Sequence, residues 1–447
     1  MAAPLYLSMI ATSVGSMVVT ATLGRFDTAA LAAFALASAV HAPTMAAVTG
    51  AVRGVLPFVS SAADDRDGVR RVVRDGTWLA VAVGVPGAVA VSGVPLLARV
   101  GGVPAETVAA LGLLPILLAG SVLLGSVGAM ASSSLVGLGR TRTVVRAGLV
   151  SATCAAVLSS VLVNGFGPVP AFGLAGAGGA VLVASLAAAV LNLSGLRSVL
   201  GTPVAGSPTA PVTGSVTAPP TAPVRVRPDL RRVRELAAVG IPMAGTVLVK
   251  FGVLGVLAFA AARVSTPAAA AHGVAVSLVG LIFAAAVAVG QAGVPLVSSR
   301  ATAGDVAGVR RGVRAALLVA AVVVGALCAL LVIVRPVVLP LFTEDPGVRT
   351  LVTALVPVVV LVILGDGLQA VLGFGLTGLR RTAPSFLVFS VAYGLLALAA
   401  LPVASAAGLV GLWTALVLTN ALVVVGQGSM FLWVSARLPE PVADEAR

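Results

Sequence analysis

Two ionisable residues lie inside long apolar stretches of this 447-residue chain. Asp366 lies in PVVVLVILGDGLQAVLGF, and Lys250, the only lysine of the chain, lies in IPMAGTVLVKFGVLGVLAF. A charge at the centre of a bilayer costs about 2.5–3.5 kcal/mol on insertion scales, so such residues are functional candidates. A carboxylate at that depth can bind Na⁺ or take up a proton. We expect Asp366 to do one of these, and the alternative is a purely structural acid.

The opposite charges of Lys250 and Asp366 suggest a pair between two helices. We hypothesise that the Lys250 ammonium group pairs with Asp366 and acts as a tethered cation in place of Na⁺. A buried lysine loses its proton readily, so the pair could carry proton coupling. The alternatives are a structural salt bridge, or a lysine whose amine extends along its stem to water.

Two further polar residues lie on apolar segments. The Arg53 guanidinium group, if it faces a cavity, favours anionic or polar substrates. The alternative is that it extends to the membrane surface over about 9 Å. His272 is a candidate for a proton relay or for helix packing, and packing is the simpler interpretation.

The composition indicates an integral membrane protein. Hydrophobic residues make up 59% of the chain and charged residues 10%, with a mean hydropathy of +1.13. Soluble domains carry about 25% charged residues. The apolar stretches reach about 20 residues, which is the length of a membrane-spanning helix. They do not alternate as the strands of a barrel would.

Hydropathy and turn residues predict an all-α fold with twelve spans. The predicted spans are 4–24, 28–60, 76–98, 107–136, 147–165, 172–196, 237–262, 267–297, 315–338, 350–375, 384–402 and 408–434. We place Asp366 inside a span and expect the other acidic residues in loops, at helix ends or in the tail. Cys154 and Cys328 both lie in apolar segments, which indicates packing rather than a disulfide.

Most of the 28 basic residues lie in alternate loops. These loops carry Arg66, Arg70, Arg71, Arg74, Arg140, Arg142, Arg146, Arg197, Arg225, Arg227, Arg231, Arg232, Arg234, Arg300, Arg310, Arg311, Arg314, Arg380 and Arg381. Cytoplasmic loops are enriched in Lys and Arg, so both termini are predicted to be cytoplasmic. The formal net charge of +13 therefore reflects membrane topology, and we exclude a nucleic-acid partner.

The two halves of the chain resemble each other. Val59 opens VSSAADDRDGVRRVVR and Val297 opens VSSRATAGDVAGVRRGVR; LVGLGRT from Leu135 matches LTGLRRT from Leu376. The Gly-rich segment around Gly173 likewise matches the one around Gly408, and all offsets are about 240 residues. Such parallel repeats place a cavity between two lobes. In this alignment Gln291 is the counterpart of Arg53 and is a second cavity candidate.

The repeat divides the chain into four parts. Residues 1–200 form an N-terminal lobe of six helices and 236–435 a C-terminal lobe of six helices. Residues 201–235 form a cytoplasmic Pro/Thr-rich linker, and 436–447 a cytoplasmic tail.

Several segments, in this order and spacing, resemble the multidrug and toxic compound extrusion (MATE) family of secondary transporters. That family belongs to the larger multidrug/oligosaccharidyl-lipid/polysaccharide exporter superfamily. The segments are LGRFDTAALAAFAL, NGFGPVPAFGLAGAGGA, GIP, AAAAHGVAVSL, LFTEDPGV and DGLQAVLGFGLTGLRRT. The resemblance implies two six-helix lobes in a V-shaped arrangement. It also implies exchange of H⁺ or Na⁺ for an organic substrate.

The resemblance also implies roles for single residues. Asp366 matches a carboxylate position that contributes to cation binding in the family, with Gln369 following it, and Asn164 matches a motif asparagine. Lys250 stands where the family often carries a glutamate, which is a full reversal of charge. Val19 stands where part of the family has an aspartate. A two-carboxylate cation site of the family's type is therefore not expected here.

These observations favour a cation-coupled antiporter that exports organic small molecules or drugs, with H⁺ preferred to Na⁺ as the coupling ion. A lipid-linked or polysaccharide flippase is the main alternative, favoured by Arg53 and Lys250. An integral-membrane enzyme is a third possibility, although the sequence shows no metal, nucleotide or nucleophile pattern. We expect no cofactor. The expected partners are a lipid bilayer and an organic small molecule. We expect the protein to be a monomer located in the plasma or inner membrane.

Overall fold

A computed structural model describes residues 2–201, 227–343 and 345–438. Most of the predicted Pro/Thr-rich linker and most of the predicted tail lie outside the described residues. In the described ranges the chain forms fourteen helices. They are α1 (Ala2–Phe26), α2 (Thr28–Arg53), α3 (Leu56–Ser61), α4 (Arg66–Ser92), α5 (Val94–Val100), α6 (Ala105–Ala110), α7 (Leu114–Gly137), α8 (Thr141–Asn164), α9 (Gly173–Gly201), α10 (Leu230–Val264), α11 (Thr266–Thr302), α12 (Val306–Phe342), α13 (Pro346–Gly378) and α14 (Thr382–Ser435).

Aspartate side chains begin many of these helices. Each accepts a hydrogen bond from a backbone N–H group in the first turn, which satisfies a donor that the helix itself leaves unpaired. The capping residues are Asp27, Asp65, Asp229, Asp305 and Asp345. Five of the fifteen acidic residues of the chain therefore serve to start membrane helices at their polar ends.

Helix α14 consists of two spans. Its 54 residues would extend about 80 Å as one straight helix, far beyond the width of a bilayer. At Gly408 the backbone takes φ 59° and ψ −153°, which a glycine adopts without steric cost. The Tyr393 hydroxyl lies 2.8 Å from Asn420 Oδ1, and Gln427 Nε2 lies 2.9 Å from the Ser385 hydroxyl. Such contacts require the two parts of α14 to lie side by side.

The described helices therefore provide the twelve predicted spans. Eleven helical segments are long and apolar enough to cross a membrane, with α2 and α3 counted as one segment, and α14 supplies two spans. The chain is a multi-pass membrane protein. The second predicted span is interrupted after Arg53, where α2 ends and α3 begins at Leu56.

Backbone geometry repeats between the two halves. Asp65 and Asp305 occupy matching positions and each caps the following helix. Gly173 and Gly408 both have positive φ, 53° and 59°. Arg380 has φ 56° at the position where the first half has Gly139 with φ 73°. The two halves thus follow one helical plan even where the residue type differs.

The hydrophobic core is divided at one end of the molecule and shared at the other. One buried cluster lies wholly within residues 19–177 and another wholly within 253–423. A third cluster draws on both halves, at the end that carries the loops with Arg71, Arg140, Arg300 and Arg380, which we call the arginine-rich end. The halves are two lobes that join at this end and diverge towards the other, in the predicted V-shaped arrangement.

Small residues allow the lobes to meet closely at the arginine-rich end. A Cβ atom added at Gly54, which follows the last residue of α2, would lie 2.7 Å from the backbone nitrogen of Gly240 on α10. The Ser298 hydroxyl of α11 donates a hydrogen bond of 2.7 Å to the Pro57 carbonyl oxygen of α3. The contact between α2 and α10 therefore closes one end of the space between the lobes.

Candidate functional site

A cavity of about 390 Å³ lies between the lobes, next to this contact. Helix α2 lines one side and helices α10, α11, α13 and α14 line the other. Its polar lining residues include Arg53, Thr246, Lys250, Gln369, Ser385 and Gln427. Among the described residues that line it, the ionisable side chains are both cations, Arg53 and Lys250.

The structure brings Lys250 and Asp366 together across 116 residues of sequence. Lys250 Nζ of α10 lies 2.7 Å from Asp366 Oδ2 of α13. The lysine side chain retains 19% exposure and lines the cavity, whereas the aspartate side chain retains 2%. Lys250 therefore separates the carboxylate from the cavity, and an ion that approaches Asp366 from the cavity must pass the ammonium group.

Other side chains hold the pair in place. Gln369 lies one helical turn from Asp366, and its Nε2 atom lies 3.5 Å from Asp366 Oδ1. The Phe283 ring lies 3.9 Å from Lys250 Nζ and stabilises its charge by a cation–π contact. On the neighbouring part of α14, the Tyr393 hydroxyl donates to Asn420 Oδ1 at 2.8 Å, and Asn420 Nδ2 donates to the Val362 carbonyl oxygen of α13 at 3.2 Å. The carboxylate itself is held by contacts from α10 and α13.

Arg53 occupies the closed end of the same cavity. It is the last residue of α2, directly before Gly54, whose backbone is packed against Gly240. Its guanidinium group has no ion-pair or hydrogen-bond partner among the described residues. The interface between the lobes separates it from the arginine-rich end, so extension to that surface does not explain its position.

The structure does not bring the other sequence candidates to this cavity. Gln291 is buried on α11 but does not line the cavity. His272 is buried in the core of the C-terminal lobe, with its ring 5.6 Å from the ring of Trp413. Asn164 is exposed at the end of α8, where its amide donates to the Ser160 carbonyl oxygen. These positions follow from helix rotation and depth, which the sequence alone did not specify.

Asp75 corrects the expectation that Asp366 is the one acid within a helical span. Helix α4 begins at Arg66, so Asp75 lies well inside it and is fully buried. Arg74 Nε lies 2.8 Å from Asp75 Oδ1, and the backbone N–H of Asp229 donates to the same oxygen at 3.2 Å. Asp75 therefore binds the residue directly before α10, Asp229, to the N-terminal lobe. The adjacent Arg-Asp pair was the sequence signal for it.

Arg380 forms a second contact between the lobes at the arginine-rich end. Its guanidinium group lies 4.1 Å from the Phe58 ring and donates a hydrogen bond to the Ser61 hydroxyl. Burial lowers the pKa of Arg380, and the charge of Glu235 opposes that shift. Together with the Asp75 contact, this interaction closes the arginine-rich end in the conformation described.

The described residues contain no cluster of three or more His, Cys, Asp or Glu side chains placed to hold a metal ion. The cavity is instead bordered by the Lys250–Asp366 ion pair, by the unpaired guanidinium group of Arg53, and by amide and hydroxyl groups. Such an arrangement can bind and release a proton or a charged organic molecule.

The family model MatE matches the chain twice, over residues 4–161 and 242–403. One model thus describes both halves, which confirms the internal repeat. Similar proteins include the probable multidrug resistance proteins NorM of Bradyrhizobium diazoefficiens and Deinococcus radiodurans. The first is 27% identical, covering 92% of this chain and 88% of the relative; the second is 29% identical, covering 92% and 89%.

Solved structures share the fold. A MOP superfamily transporter from Pyrococcus furiosus, described as having a binding pocket of reverse polarity that suggests a different function, superposes with a TM-score of 0.82. It is 17% identical, covering 98% of this chain and 94% of that one. An outward-facing multidrug resistance MATE family transporter superposes with a TM-score of 0.78. It is 18% identical, with the same coverage of 98% and 94%. The match of the family model to both halves shows that the chain belongs to the MatE family.

Proposed function

We propose that this protein is a secondary transporter that exports organic small molecules or drugs by alternating access, in exchange for protons. The observation that carries the proposal is the Lys250–Asp366 pair, which is buried on one side and borders the cavity between the lobes on the other. Its relatives named as multidrug resistance proteins support export of organic compounds. Family membership removes the integral-membrane enzyme from consideration.

The arginine distribution supports a cytoplasmic location for the arginine-rich end. With both termini in the cytoplasm of a plasma or inner membrane, the closed end faces inward. The divergent lobes then open outward, so the conformation described is the one that releases substrate and accepts a proton. Both lobes of one chain form the cavity, which supports function as a monomer.

The pair supplies a physical route for proton coupling. Protonation of Asp366 removes its charge and releases Lys250 from a contact of 2.7 Å. The freed ammonium group then moves relative to α13, and the contact between Gln369 and Asp366 changes with it. A bound Na⁺ would have to displace the ammonium group from Asp366, which is why the proton is the preferred coupling ion.

Proteoliposomes provide the test. Transport of ethidium, a cation, and of dansylglycine, an anion, is measured under an imposed pH gradient and, separately, under a Na⁺ gradient. We expect transport of at least one of the two compounds under the pH gradient alone, and its loss in Asp366→Asn and in Lys250→Ala. Thr49→Ala alters a neutral lining residue of the same cavity and is expected to keep proton-driven transport.

Two results would contradict the proposal. Transport driven by Na⁺ and not by the pH gradient would show that other ligands bind Na⁺ despite the lysine. Full proton-driven transport in Lys250→Ala would remove the lysine from the coupling mechanism, even if Asp366 remained essential.

A second candidate function is movement of a lipid-linked or polysaccharide substrate. The unpaired guanidinium group of Arg53 in the cavity favours it, because such substrates carry phosphate groups. A fluorescent anionic lipid in the same vesicles tests it, and transport of that lipid without transport of ethidium would support the flippase.

A further inference from the structure

The charges of the cavity do not balance. Lys250 is neutralised by Asp366 at 2.7 Å, so the pair contributes little net charge to the cavity. Arg53 lines the same cavity without an ion-pair or hydrogen-bond partner in the described parts of the chain. Burying an unpaired charge is costly, and the cost falls when an ion of opposite sign binds. The cavity lining therefore carries one uncompensated positive charge.

The position of Arg53 aims this charge into the cavity. Gly54 packs against Gly240 directly behind it, and Ser298 bonds Pro57 one turn further on. These contacts close the route from Arg53 to the arginine-rich end. The guanidinium group is planar and carries five donors, which suits bidentate binding of a carboxylate, sulfonate or phosphate group.

The rest of the lining is suited to an apolar body. Large apolar side chains line much of the space: Met45, Met243, Phe251, Phe283 and Phe374. Hydroxyl and amide groups of Thr246, Ser385 and Gln427 interrupt this surface. Aromatic and thioether groups adapt to varied apolar shapes. A ligand that satisfies both regions has an anionic group at one end and an apolar body.

We propose that this cavity binds an organic anion, with its anionic group on Arg53 and its apolar body extending towards Lys250. The inference rests on the proposed function, because it assigns the substrate class of the same cavity. It differs from that function in the residue on which it depends. This residue, Arg53, lies on the N-terminal lobe and takes no part in the Lys250–Asp366 pair.

The backbone positions that carry the two charged sites lie at different levels along α10. Gly240 lies level with the end of α2, and Lys250 lies ten residues further along α10, about 15 Å at the helical rise. At an effective dielectric constant of about 20, one unit charge at that distance changes the affinity for another by less than about tenfold. Protonation at Asp366 therefore does not decide by charge alone whether an anion binds at Arg53.

Three dansyl probes of one fluorophore test the charge preference. Dansylglycine is anionic, dansyl amide is neutral, and dansyl ethylenediamine is cationic. Binding to purified protein is measured by fluorescence at fixed pH without a gradient. We expect dansylglycine to bind more tightly than the other two. Arg53→Gln should weaken it about ten- to a hundredfold, the worth of a charge-assisted hydrogen bond, and change dansyl amide binding little.

Matched variants separate this effect from loss of folding. Arg53→Lys keeps the charge without the bidentate fork, so it should retain part of the preference. Arg53→Gln combined with Gln291→Arg moves the arginine to the matching position of the other repeat. Because Gln291 does not line the cavity, this exchange should not restore dansylglycine binding. Size-exclusion profiles identify any variant that fails to fold.

Transport assays distinguish a free anion from a lipid head group. Movement of dansylglycine that depends on Arg53 supports a free organic anion. Movement of a fluorescent phosphatidylglycerol between leaflets that depends on Arg53 supports an anionic lipid. A preference for dansyl ethylenediamine that is unchanged in Arg53→Gln would overturn the inference.

The outcomes also separate this inference from the proposed function. Dansylglycine binding that depends on Arg53, without proton-driven transport of any probe, supports the anion site and refutes the proton-coupled exporter. Proton-driven transport that depends on Asp366, with no effect of Arg53→Gln on any probe, supports the exporter and refutes the anion site.

Discussion

The two lobes follow one helical plan but carry their charges in different places. Thr12 stands as far after Pro4 as Lys250 stands after Pro242, and its hydroxyl donates to the Ser8 carbonyl oxygen at 2.9 Å. The C-terminal lobe holds an ion pair at a site where the N-terminal lobe has a neutral hydroxyl group.

The counterpart of Asp366 shows the same difference. Gly125 stands as far before Leu135 as Asp366 stands before Leu376, and the Met45 side chain fills the space that a Cβ atom would need there. Conversely, Arg53 of the N-terminal lobe corresponds to the neutral Gln291. A duplicated fold can thus carry an ion pair in one lobe and an unpaired arginine in the other without changing the helices.

The largest expected effect comes from breaking the pair of the C-terminal lobe. Asp366→Asn leaves the Lys250 ammonium group without its carboxylate, and removing one partner of a buried pair costs about 3–5 kcal/mol. We expect the lower end of this range because the lysine is partly exposed. Lys250→Gln together with Asp366→Asn removes both charges and should recover most of the stability, while proton-driven transport stays lost.

Thermal unfolding in detergent measures this difference. Thr12→Gln, at the matching position of the N-terminal lobe, is the control and should change stability by less than about 1 kcal/mol. A double variant as unstable as Asp366→Asn alone would show that the charge pairing is not what stabilises the site.

A smaller effect is expected where the lobes are fastened together. Asp75→Asn weakens the interaction with Arg74 and with the N–H of Asp229, and we expect a loss of about 2 kcal/mol. Because these contacts close the arginine-rich end, the loss should shift the population away from the described conformation. Spin labels at Arg25 and Arg263, in a chain without Cys154 and Cys328, should then report shorter distances across the opposite end.

Asp305→Asn is the control for this prediction. Its partner Arg300, at 2.8 Å, lies in the same lobe, and both side chains are exposed. The distance distribution should therefore not move. A shift of equal size in both variants would contradict a specific role of Asp75 in joining the lobes.

The repeat offers a third comparison, at the matching residues Gly139 and Arg380, whose backbones both have positive φ. The expected change in unfolding free energy is about 1 kcal/mol. An L-residue with positive φ is strained by about 1–2 kcal/mol, whereas glycine is not. Arg380→Gly and Arg380→Ala both lose the contact with Phe58, but only the glycine relieves the strain. The glycine variant should be more stable than the alanine variant by about 1 kcal/mol, and Gly139→Ala should be destabilising. Equal stability of the two Arg380 variants would contradict the strain.

The smallest expected effect is the acid sensitivity of the matching caps. The backbone N–H of Gly68 lowers the pKa of Asp65, and that of Gly308 lowers the pKa of Asp305, from the ordinary value of 3.8. A carboxyl group whose pKa is lower in the folded state stabilises the fold above its unfolded pKa. It loses that contribution as the pH falls through the folded value. The melting temperature should decrease as the pH is lowered below about 4. The decrease should be smaller in the double variant that carries Asp65→Asn and Asp305→Asn. An identical pH dependence would exclude the caps as its source.

The sequence by itself determined the membrane class, the twelve spans and the repeat. Apolar length is a local property, and the matching segments at Val59 and Val297 can be compared without a structure. The rarity of charges within spans also identified Lys250 and Asp366 as candidates, because the cost of a charge in lipid does not depend on which helix lies beside it.

Only the tertiary structure decided which candidates meet. Helix rotation brought Lys250 within 2.7 Å of Asp366 and placed Arg53 in the same cavity. It also turned His272 towards Trp413 and left Gln291 outside the cavity lining. Helix α4 begins at Arg66, earlier than the predicted span, so that Asp75 lies within the helix and is buried. An apolar sequence is compatible with many rotations of a helix about its axis. The close packing of glycine and alanine between helices selects one of these rotations.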